Sequence, residues 1–304
     1  MAGQTPDPDF FVKSQQFTAH THRDVYPAIN PTNSSLSQSG KVVIITGASQ
    51  GLGARGFVQS FAATGPKAIV LVARNSKKLD EVAAGVNEKF PNVDTLTVST
   101  DVADPTSVAA LFEKVKSKYG HADVLVNNAA VFNSIAPVKD VDHKAWWDEM
   151  TINIYGTFLV TQSFLKLLPE SAPARIITLT TGAAYEVFPN LSNYGLSKLV
   201  VFELMAYVTA ENPNVVAVAV HPGIVPTDML KDAFAPFAHD KPELVGGLAT
   251  WLAAWEGEDR SFLGGRYLSA NWDVDDLVKR KEEIVEGGLL KLNLMGQFGE
   301  KQFN

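Results

Sequence analysis

Short runs of apolar, largely β-branched residues recur along the chain from about residue 41 onwards. Most of these runs are almost entirely apolar and do not alternate with polar residues. Strands that are buried on both faces have this pattern, and such strands belong to parallel sheets covered by helices. The pattern therefore predicts six strands, at residues 42–46, 68–73, 94–99, 123–126, 175–180 and 215–221.

Segments with apolar residues three and four positions apart separate these runs and are typical of amphipathic helices. Asp104 and Pro105 predict a helix start, because aspartate can cap the first amides and proline fits the first turn. Ser76 is predicted to cap another helix, and longer helices are predicted over residues 142–168 and 192–211. Alternating strands and helices at this spacing predict an α/β fold with one doubly wound parallel sheet, a Rossmann fold.

The two ends of the chain differ from its middle. Residues 1–40 contain four prolines and a polar run, which predicts an N-terminal arm with little regular structure, packed on the domain or partly mobile. Residues 41–274 contain no linker and are predicted to form one catalytic domain, and a C-terminal extension over 275–304 includes a charged helix at 277–286. The aromatic residues of the arm, which suggest that parts of it dock, are Phe10, Phe11, Phe17 and Tyr26.

The formal net charge of the chain is −7 at pH 7. Nucleic acids and anionic membrane surfaces are bound through clustered Lys and Arg, so the acidic balance argues against both as partners. No apolar run approaches the roughly 18 residues of a membrane helix, and the start of the chain lacks the apolar segment of a secretory signal.

The chain contains no cysteine, which excludes disulfides and cysteine-ligated metals and fits a cytoplasmic location. The six histidines show no metal-ligand spacing, so we expect no metal site. His20 and His22, which lie in the arm, are expected to be solvated.

A glycine-rich turn, Thr46-Gly47-Ala48-Ser49-Gln50-Gly51-Leu52-Gly53, follows the first predicted strand and opens a helix. Glycine lets the backbone turn tightly and approach a pyrophosphate, and the helix offers its N-terminal amides to the phosphates. This context favours a dinucleotide site over the alternative, a plain strand–helix turn.

The second predicted strand ends at Ala73 and Arg74 and has no carboxylate there. Dehydrogenases that prefer NAD tend to place a carboxylate at this point to bind the ribose hydroxyls. A guanidinium can instead bind a 2′-phosphate with a forked pair of hydrogen bonds. The sequence therefore predicts NADP(H) over NAD(H), with a solvated surface arginine as the alternative.

Tyr194 and Lys198 lie four residues apart and share one face of a predicted helix. An ammonium close to a phenol lowers the phenol pKa from about 10, so that the tyrosine can act as an acid or base. The pair alone is weak evidence for catalysis, because a surface lysine beside a packed tyrosine gives the same spacing. Thr180 and Thr181, which end the preceding strand, favour catalysis because ligands bind at that edge of such sheets.

These motifs, in this order and spacing, resemble those of the short-chain dehydrogenase/reductase family in its single-domain form, over about residues 38–272. The resemblance implies an adenine contact at Asp101-Val102 and a loop beside the nicotinamide at 222–227, with Thr227 near its carboxamide. The cofactor-binding residues that follow from the turn, from Arg74 and from the resemblance are Gly47, Ser49, Gln50, Gly51, Leu52, Gly53, Arg74, Asp101, Val102, Asn128, Ala129, Tyr194, Lys198, Pro222, Gly223, Val225 and Thr227.

The resemblance also implies the catalytic roles. Tyr194 would be the general acid, and Lys198 would lower its pKa and hold the nicotinamide ribose. Thr181 stands where the family usually has serine and would position the carbonyl, although Thr180 is the alternative. Asn153 would support a proton relay through a water. Ala130 replaces a family glycine, and the usual Asp-Gly-Gly after the last strand is absent.

The leading hypothesis is an NADPH-dependent ketoreductase acting on a bulky, mostly apolar carbonyl compound or the corresponding alcohol. The alternative is an NADPH-binding module of this fold with a non-redox role, such as a cyclisation pocket or a cofactor sensor. The long arm and tail resemble those of fungal members, and the family implies a homodimer or homotetramer. Apolar residues that could line the substrate pocket, or could simply pack in the core, are Phe132, Tyr185, Phe188, Met229, Leu230, Phe234, Pro236 and Phe237.

Overall fold

The apolar runs form seven parallel strands of one sheet in the computed structural model, which describes residues 6–255, 257, 259–296, 298 and 299. The order across the sheet is β3-β2-β1-β4-β5-β6-β7, so the strand order reverses between β1 and β4. The strands are β1 (Val42–Thr46), β2 (Ala68–Ala73), β3 (Asp94–Ser99), β4 (Val124–Asn127), β5 (Ala174–Leu179), β6 (Val215–His221) and β7 (Tyr267–Ser269).

The predicted doubly wound parallel sheet is confirmed, with β4 and β5 each displaced by one residue from the predicted bounds. Every residue of β1 is buried, as its unbroken apolar run predicts. The edge strand β3 buries only Val98 completely, because one side of it has no neighbouring strand. The seventh strand, β7, has three residues, and the sequence pattern does not predict it.

Helices flank the sheet: α2 packs against α8, α4 against α6 and α5 against α7. The helices are α1 (Phe10–Ser14), α2 (Gln59–Ala63), α3 (Ser76–Lys89), α4 (Pro105–Tyr119), α5 (His143–Met150), α6 (Thr157–Leu167), α7 (Ser192–Glu211), α8 (Pro242–Ala253), α9 (Val274–Lys279) and α10 (Lys281–Glu286).

Of the two capping residues that the sequence predicts by name, one is confirmed and one is wrong. Asp104 caps α4, since its carboxylate accepts hydrogen bonds from the amides of Thr106 and Ser107. The predicted cap at Ser76 is wrong, because the side chain of Asn75 accepts from the amide of Lys78 and Ser76 is already the first helical residue.

The long helix predicted over 142–168 is continuous from His143 to Leu167 but widens to a π-helical turn over Thr151–Gly156. A second π-helical turn, Gly53–Val58, precedes α2. Such turns frequently occur at functional sites. In this fold they flank the cleft described below, one after the glycine turn and one at Asn153.

The N-terminal arm packs on the domain. It contains α1 and two 3₁₀ turns, and its residues Ile29 and Leu36 are buried in the main core. The expectation that His22 is solvated is wrong, because its ring stacks on Tyr26 at 3.6 Å between centroids and hydrogen bonds Asp273 at 2.8 Å. The boundaries predicted at residues 40 and 274 stay predictions.

The charged helix predicted over 277–286 is two helices, α9 and α10, separated at Arg280. The Arg280 guanidinium binds the backbone carbonyl of Phe17 in the arm, so the break holds the C-terminal segment against the arm. Some of the predicted tail, residues 297 and 300–304, lies outside the described residues. Within the described part, none of the helices combines the length and apolar character needed to cross a membrane.

Candidate active site

A cleft of about 450 Å³ opens at the carboxyl ends of the strands, where the sheet order reverses between β1 and β4. Ligands of doubly wound sheets bind at this point. The cleft brings together all the predicted site residues except Gly53 and Asn153. Those two lie behind its wall and shape it from there.

The glycine turn after β1 forms the floor of one half of the cleft. Gly47 and Gly51 have φ angles of +66° and +57°, in the left-handed region that glycine tolerates best. A Cβ on Gly53 would collide with the carbonyl of Gly47, so this glycine lets the turn fold back on the helix that follows. Gly53 is thus needed for the shape of the turn and does not face the cleft.

Asn128, directly after β4, fixes the turn from the opposite side of the cleft. Its side-chain amide donates to the carbonyl oxygens of Thr46 and Gly47, at 2.9 and 3.2 Å. The Thr46 hydroxyl in turn accepts from the amides of Asn128 and Ala129, each at 3.0 Å. These bonds hold the ends of β1 and β4 in one rigid unit.

Arg74 is exposed at the end of β2 and lines the same half of the cleft as Asp101 and Val102. A second cation, Lys78, lies beside it and donates to the side-chain carbonyl of Gln50 at 2.7 Å. Among the described residues, no carboxylate forms an ion pair with either cation. This end of the cleft therefore presents two cations to a ligand, beside the carboxylate of Asp101.

Tyr194 and Lys198 lie in the first two turns of α7 and face the other half of the cleft. The Lys198 ammonium lies 5.8 Å from the centre of the Tyr194 ring and donates to the carbonyl oxygen of Leu179 at 3.0 Å. The predicted pair is thus present at the edge of the sheet.

The expected lowering of the tyrosine pKa by Lys198 is not seen. Burial raises the pKa of Tyr194 above its usual value, and the carboxylate of Glu149 raises it further. Burial also lowers the pKa of Lys198 to about 8, so its ammonium loses a proton more readily than that of an exposed lysine. Burial is thus the main influence on the pKa of both groups.

The two threonines after β5 have different environments. Thr180 is buried, and its hydroxyl donates to the backbone carbonyl of Lys198 at 2.9 Å. Thr181 is half-buried at the cleft wall, where its oxygen accepts a long hydrogen bond of 3.4 Å from the amide of Ala183. Thr181 is therefore the threonine whose hydroxyl is available to a ligand.

Asn153 is fully buried in the π-helical turn and does not reach the cleft. Its side chain accepts from the amide of Val131 and donates to the Val131 carbonyl, each at 2.9 Å, and to the Ser197 hydroxyl at 3.0 Å. The side chain thus ties the segment after β4 to α7. The proton relay through this residue stays a prediction.

Glu149 is a site residue that the sequence analysis misses. It is buried one helical turn before Asn153, and its carboxylate accepts from the Asn133 amide at 2.9 Å and the Asn193 side chain at 2.8 Å. Burial raises the pKa of this carboxyl. Glu149 thus joins the loop after β4 to the residue that precedes Tyr194, and its four-residue spacing from Asn153 is the only sequence signal for it.

The substrate half of the cleft contains some of the predicted apolar residues and excludes others. Phe132 stacks on Tyr194 with 4.5 Å between ring centroids, and Phe188, Met229, Leu230 and Phe234 line the cleft. Tyr185, Pro236 and Phe237 do not line it. Tyr185 packs edge-on against Tyr267, and Phe237 packs against Phe11 of the arm.

The sequence profile described as short chain dehydrogenase matches residues 41–236 of this chain. The chain belongs to the short-chain dehydrogenase family. Family membership makes it an oxidoreductase that uses a nicotinamide cofactor and acts on a small molecule.

Two fungal members of the short-chain dehydrogenase family are similar to most of the chain. The short chain dehydrogenase pigC of Monascus ruber is 37% identical over 289 residues, which cover 91% of this chain and 93% of that protein. The short chain dehydrogenase mpl6 of Monascus purpureus is 37% identical over 296 residues, which cover 94% and 99%. The resemblance to fungal members is thus confirmed, and it extends beyond the bounds of the family profile.

Solved structures of the short-chain dehydrogenase fold are also similar. A dehydrogenase/reductase from Sinorhizobium meliloti 1021 matches with a TM-score of 0.69 and 25% identity, over 78% of this chain and 95% of that chain. This chain therefore has the Rossmann fold of the family over most of its length.

The residues of the cleft fit a nicotinamide dinucleotide. A Cβ on Gly51 would meet nothing closer than 3.8 Å, at Thr227, so the backbone above the turn is open to a pyrophosphate. Arg74 and Tyr194 both line the cleft, Arg74 after β2 and Tyr194 on α7. An open glycine turn and two cations, Arg74 and Lys78, are features that suit a phosphate-bearing dinucleotide.

Proposed function

We propose that this short-chain dehydrogenase uses NADP(H) to reduce the ketone of a bulky, mostly apolar small molecule to an alcohol, or to catalyse the reverse reaction. One observation carries the proposal. Tyr194, Lys198 and Thr181 lie in the same cleft as the glycine turn, between a cationic end at Arg74 and an aromatic end at Phe132.

The nicotinamide, when bound, supplies or accepts the hydride. Thr181 would hold the substrate carbonyl through its hydroxyl, which is the available one of the two threonines. Tyr194, which lines the cleft, would give its proton to the carbonyl oxygen. Lys198, fixed by its bond to Leu179, would stabilise the negative charge that develops on the phenol oxygen.

The preference for NADP(H) is supported by Arg74 and Lys78. Both cations line the adenosine end, and neither is paired with a carboxylate in the described part of the chain. A 2′-phosphate carries a negative charge and can gain charge-assisted hydrogen bonds from both cations. The roles of Gly47, Ser49, Gln50, Gly51, Leu52, Asp101, Val102, Asn128, Ala129, Pro222, Gly223, Val225 and Thr227 in holding the cofactor belong to the same proposal.

The loss of NADPH absorbance in the near ultraviolet, followed with a panel of small and polycyclic ketones, tests the proposed activity. We expect oxidation of NADPH with at least one aromatic ketone and little with cyclohexanone. Tight NADPH binding without oxidation across the panel would contradict the proposal and favour a non-redox binding module.

We also propose a homodimer or homotetramer, formed through the long helix and α7. Large apolar side chains are exposed on these helices although their other faces pack in the core: Trp147, Tyr155, Phe158, Leu196, Val200 and Tyr207. Exposed apolar patches of this kind mark interaction surfaces. Light scattering coupled to gel filtration tests the assembly, and a monomer at micromolar concentration would contradict it. The cytoplasmic location suggested by the cysteine-free sequence stays a proposal.

A further inference from the structure

Part of the cleft wall comes from the N-terminal arm, which lies outside the residues that match the family profile. Helix α1 and the residue after it place Phe11 and Gln15 in the lining of the cleft. Both lie on the side of Phe188 and Phe234, away from the glycine turn. The substrate half of the cleft is therefore incomplete without the arm.

Phe11 closes the gap between two loops of the domain. Its ring centre lies 5.9 Å from that of Phe188, in the loop after β5, and 6.2 Å from that of Phe234, in the 3₁₀ turn before α8. It also packs edge-on against Phe237 at 4.8 Å. These are the separations at which aromatic rings attract one another, and the cluster gives this part of the cleft an apolar wall.

The side-chain carboxamide of Gln15 lies against Gly182, the residue that follows Thr181. A Cβ on Gly182 would collide with this carboxamide, so the glycine makes room for it. The amide nitrogen of Gln15 makes a long 3.5 Å hydrogen bond to the carboxylate of Glu186, and the side-chain oxygen has no bond to another described residue. The side chain is therefore able to exchange this weak contact for a bond to a ligand.

The arm is fastened to the domain at several points. The backbone carbonyl of Gln15 accepts from the Trp272 indole at 2.8 Å. Arg23 pairs with the buried carboxylate of Asp240 at 3.0 Å, and the same carboxylate accepts from the backbone amide of Ile224 in the loop after β6. Helix α1 is thus held in a fixed position relative to the predicted nicotinamide loop.

We propose that α1 is a substrate-recognition element, in which Phe11 contacts the ring system of an aromatic ketone and Gln15 hydrogen bonds a hydroxyl substituent on it. This inference rests on the proposed ketone chemistry. An apolar wall with a few placed polar groups is the usual composition of a small-molecule site. Because the arm contributes to the wall, substrate choice depends on residues remote from every catalytic motif.

Calorimetry on the NADP⁺-bound protein tests this inference without turnover, with 1-tetralone, its 5-, 6- and 7-hydroxy derivatives and cyclohexanone as probes. We expect Phe11→Ala to weaken 1-tetralone binding about tenfold, since it removes the ring contact, and to change cyclohexanone binding less than twofold. Gln15→Leu should leave 1-tetralone unchanged and abolish the preference for at least one hydroxy derivative. Lys13→Ala, an exposed position of the same helix, is the matched control and should change nothing.

Phe11→Trp is a second test in case the alanine variant does not fold. It keeps an aromatic ring at this position and narrows the cleft. It should bind cyclohexanone normally and 1-tetralone more weakly than the wild type. Equal 1-tetralone affinity in all variants, or no 1-tetralone binding by the wild type, would overturn the inference. Wild-type binding that is lost in Phe11→Ala, without any NADPH oxidation, would support the inference while contradicting the proposed reaction.

Discussion

The two halves of the cleft are built in different ways. The cofactor half is made by one short stretch, the glycine turn, together with the ends of the neighbouring strands β2 and β4. The substrate half gathers single residues from distant segments, among them Phe11, Phe132, Phe188 and Phe234. The first half is held by hydrogen bonds between side chains and the backbone and by glycine geometry, and the second by contacts between aromatic side chains.

This difference indicates that cofactor binding, which the family shares, and substrate choice, which differs among its members, depend on separate parts of the cleft. Backbone geometry tolerates few substitutions, because a Cβ on Gly47 or Gly53 would meet neighbouring atoms at once. Aromatic walls tolerate many, since a ring can be exchanged for another apolar group. Variants in the cofactor half should thus change KM for NADPH, and variants in the substrate half should change KM for the ketone.

The largest effect is expected where the two halves meet. Tyr194→Phe removes the proton donor, so kcat for ketone reduction should fall by about 10²–10⁴-fold while the Kd for NADPH changes less than about twofold. Stopped-flow absorbance and NADPH fluorescence measure the two quantities. Tyr119→Phe, which changes a tyrosine on α4 that does not line the cleft, is the control and should keep normal turnover. Normal turnover by Tyr194→Phe would remove the catalytic assignment.

A stability effect should follow from the burial of Lys198. Its pKa is about 8 in the fold against 10.5 in the unfolded chain, so the folded state holds fewer protons between these values and its stability rises with pH there. The free energy of unfolding should increase by about 3 kcal/mol from pH 8 to 10.5 relative to Lys198→Met. Urea titrations at several pH values measure this, and parallel curves for the two proteins would show that the ammonium is not buried.

A medium effect is expected at the adenosine end. Arg74→Asp should lower kcat/KM for NADPH by about 10–100-fold, because charge-assisted hydrogen bonds to the 2′-phosphate are lost, and leave NADH nearly unchanged. Initial rates with both cofactors measure this preference. Lys77→Asp is the control. It makes the same change of charge at a residue of α3 that does not line the cleft, so kcat/KM for NADPH should change little. A wild-type preference for NADH would refute the assignment of Arg74.

The smallest effect is expected in the substrate half. Phe132→Leu removes the ring that stacks on Tyr194, so KM for an aromatic ketone should rise about 2–10-fold while KM for NADPH stays the same. Steady-state kinetics with both substrates varied measure the two constants. A change in KM for NADPH of the same size would show that the two halves of the cleft are not separable.

Much of the cofactor half could be predicted from the sequence, because it depends on local signals. An apolar strand, a glycine turn and a helix follow one another within about twenty residues, and Arg74 directly follows a predicted strand. Asn75 shows the limit even of local signals, since two neighbouring residues could cap the same helix and only the structure distinguishes them.

The substrate half could be predicted only in part. Phe132 and Phe234 are close to motifs, but nothing near Phe11 or Gln15 in the sequence shows which surface the arm covers. Glu149 is a single carboxylate on a helix, and its burial depends on amides supplied by Asn133 and Asn193. The direction of the Tyr194 pKa shift could not be predicted from the sequence for the same reason, because desolvation depends on the whole fold.

The most direct test is a crystal structure of the protein with NADP⁺. We predict that the pyrophosphate lies over Gly51, that the 2′-phosphate contacts Arg74, and that the nicotinamide ring lies beside Tyr194. A dinucleotide bound elsewhere, or a Tyr194 hydroxyl directed away from the nicotinamide, would contradict the account.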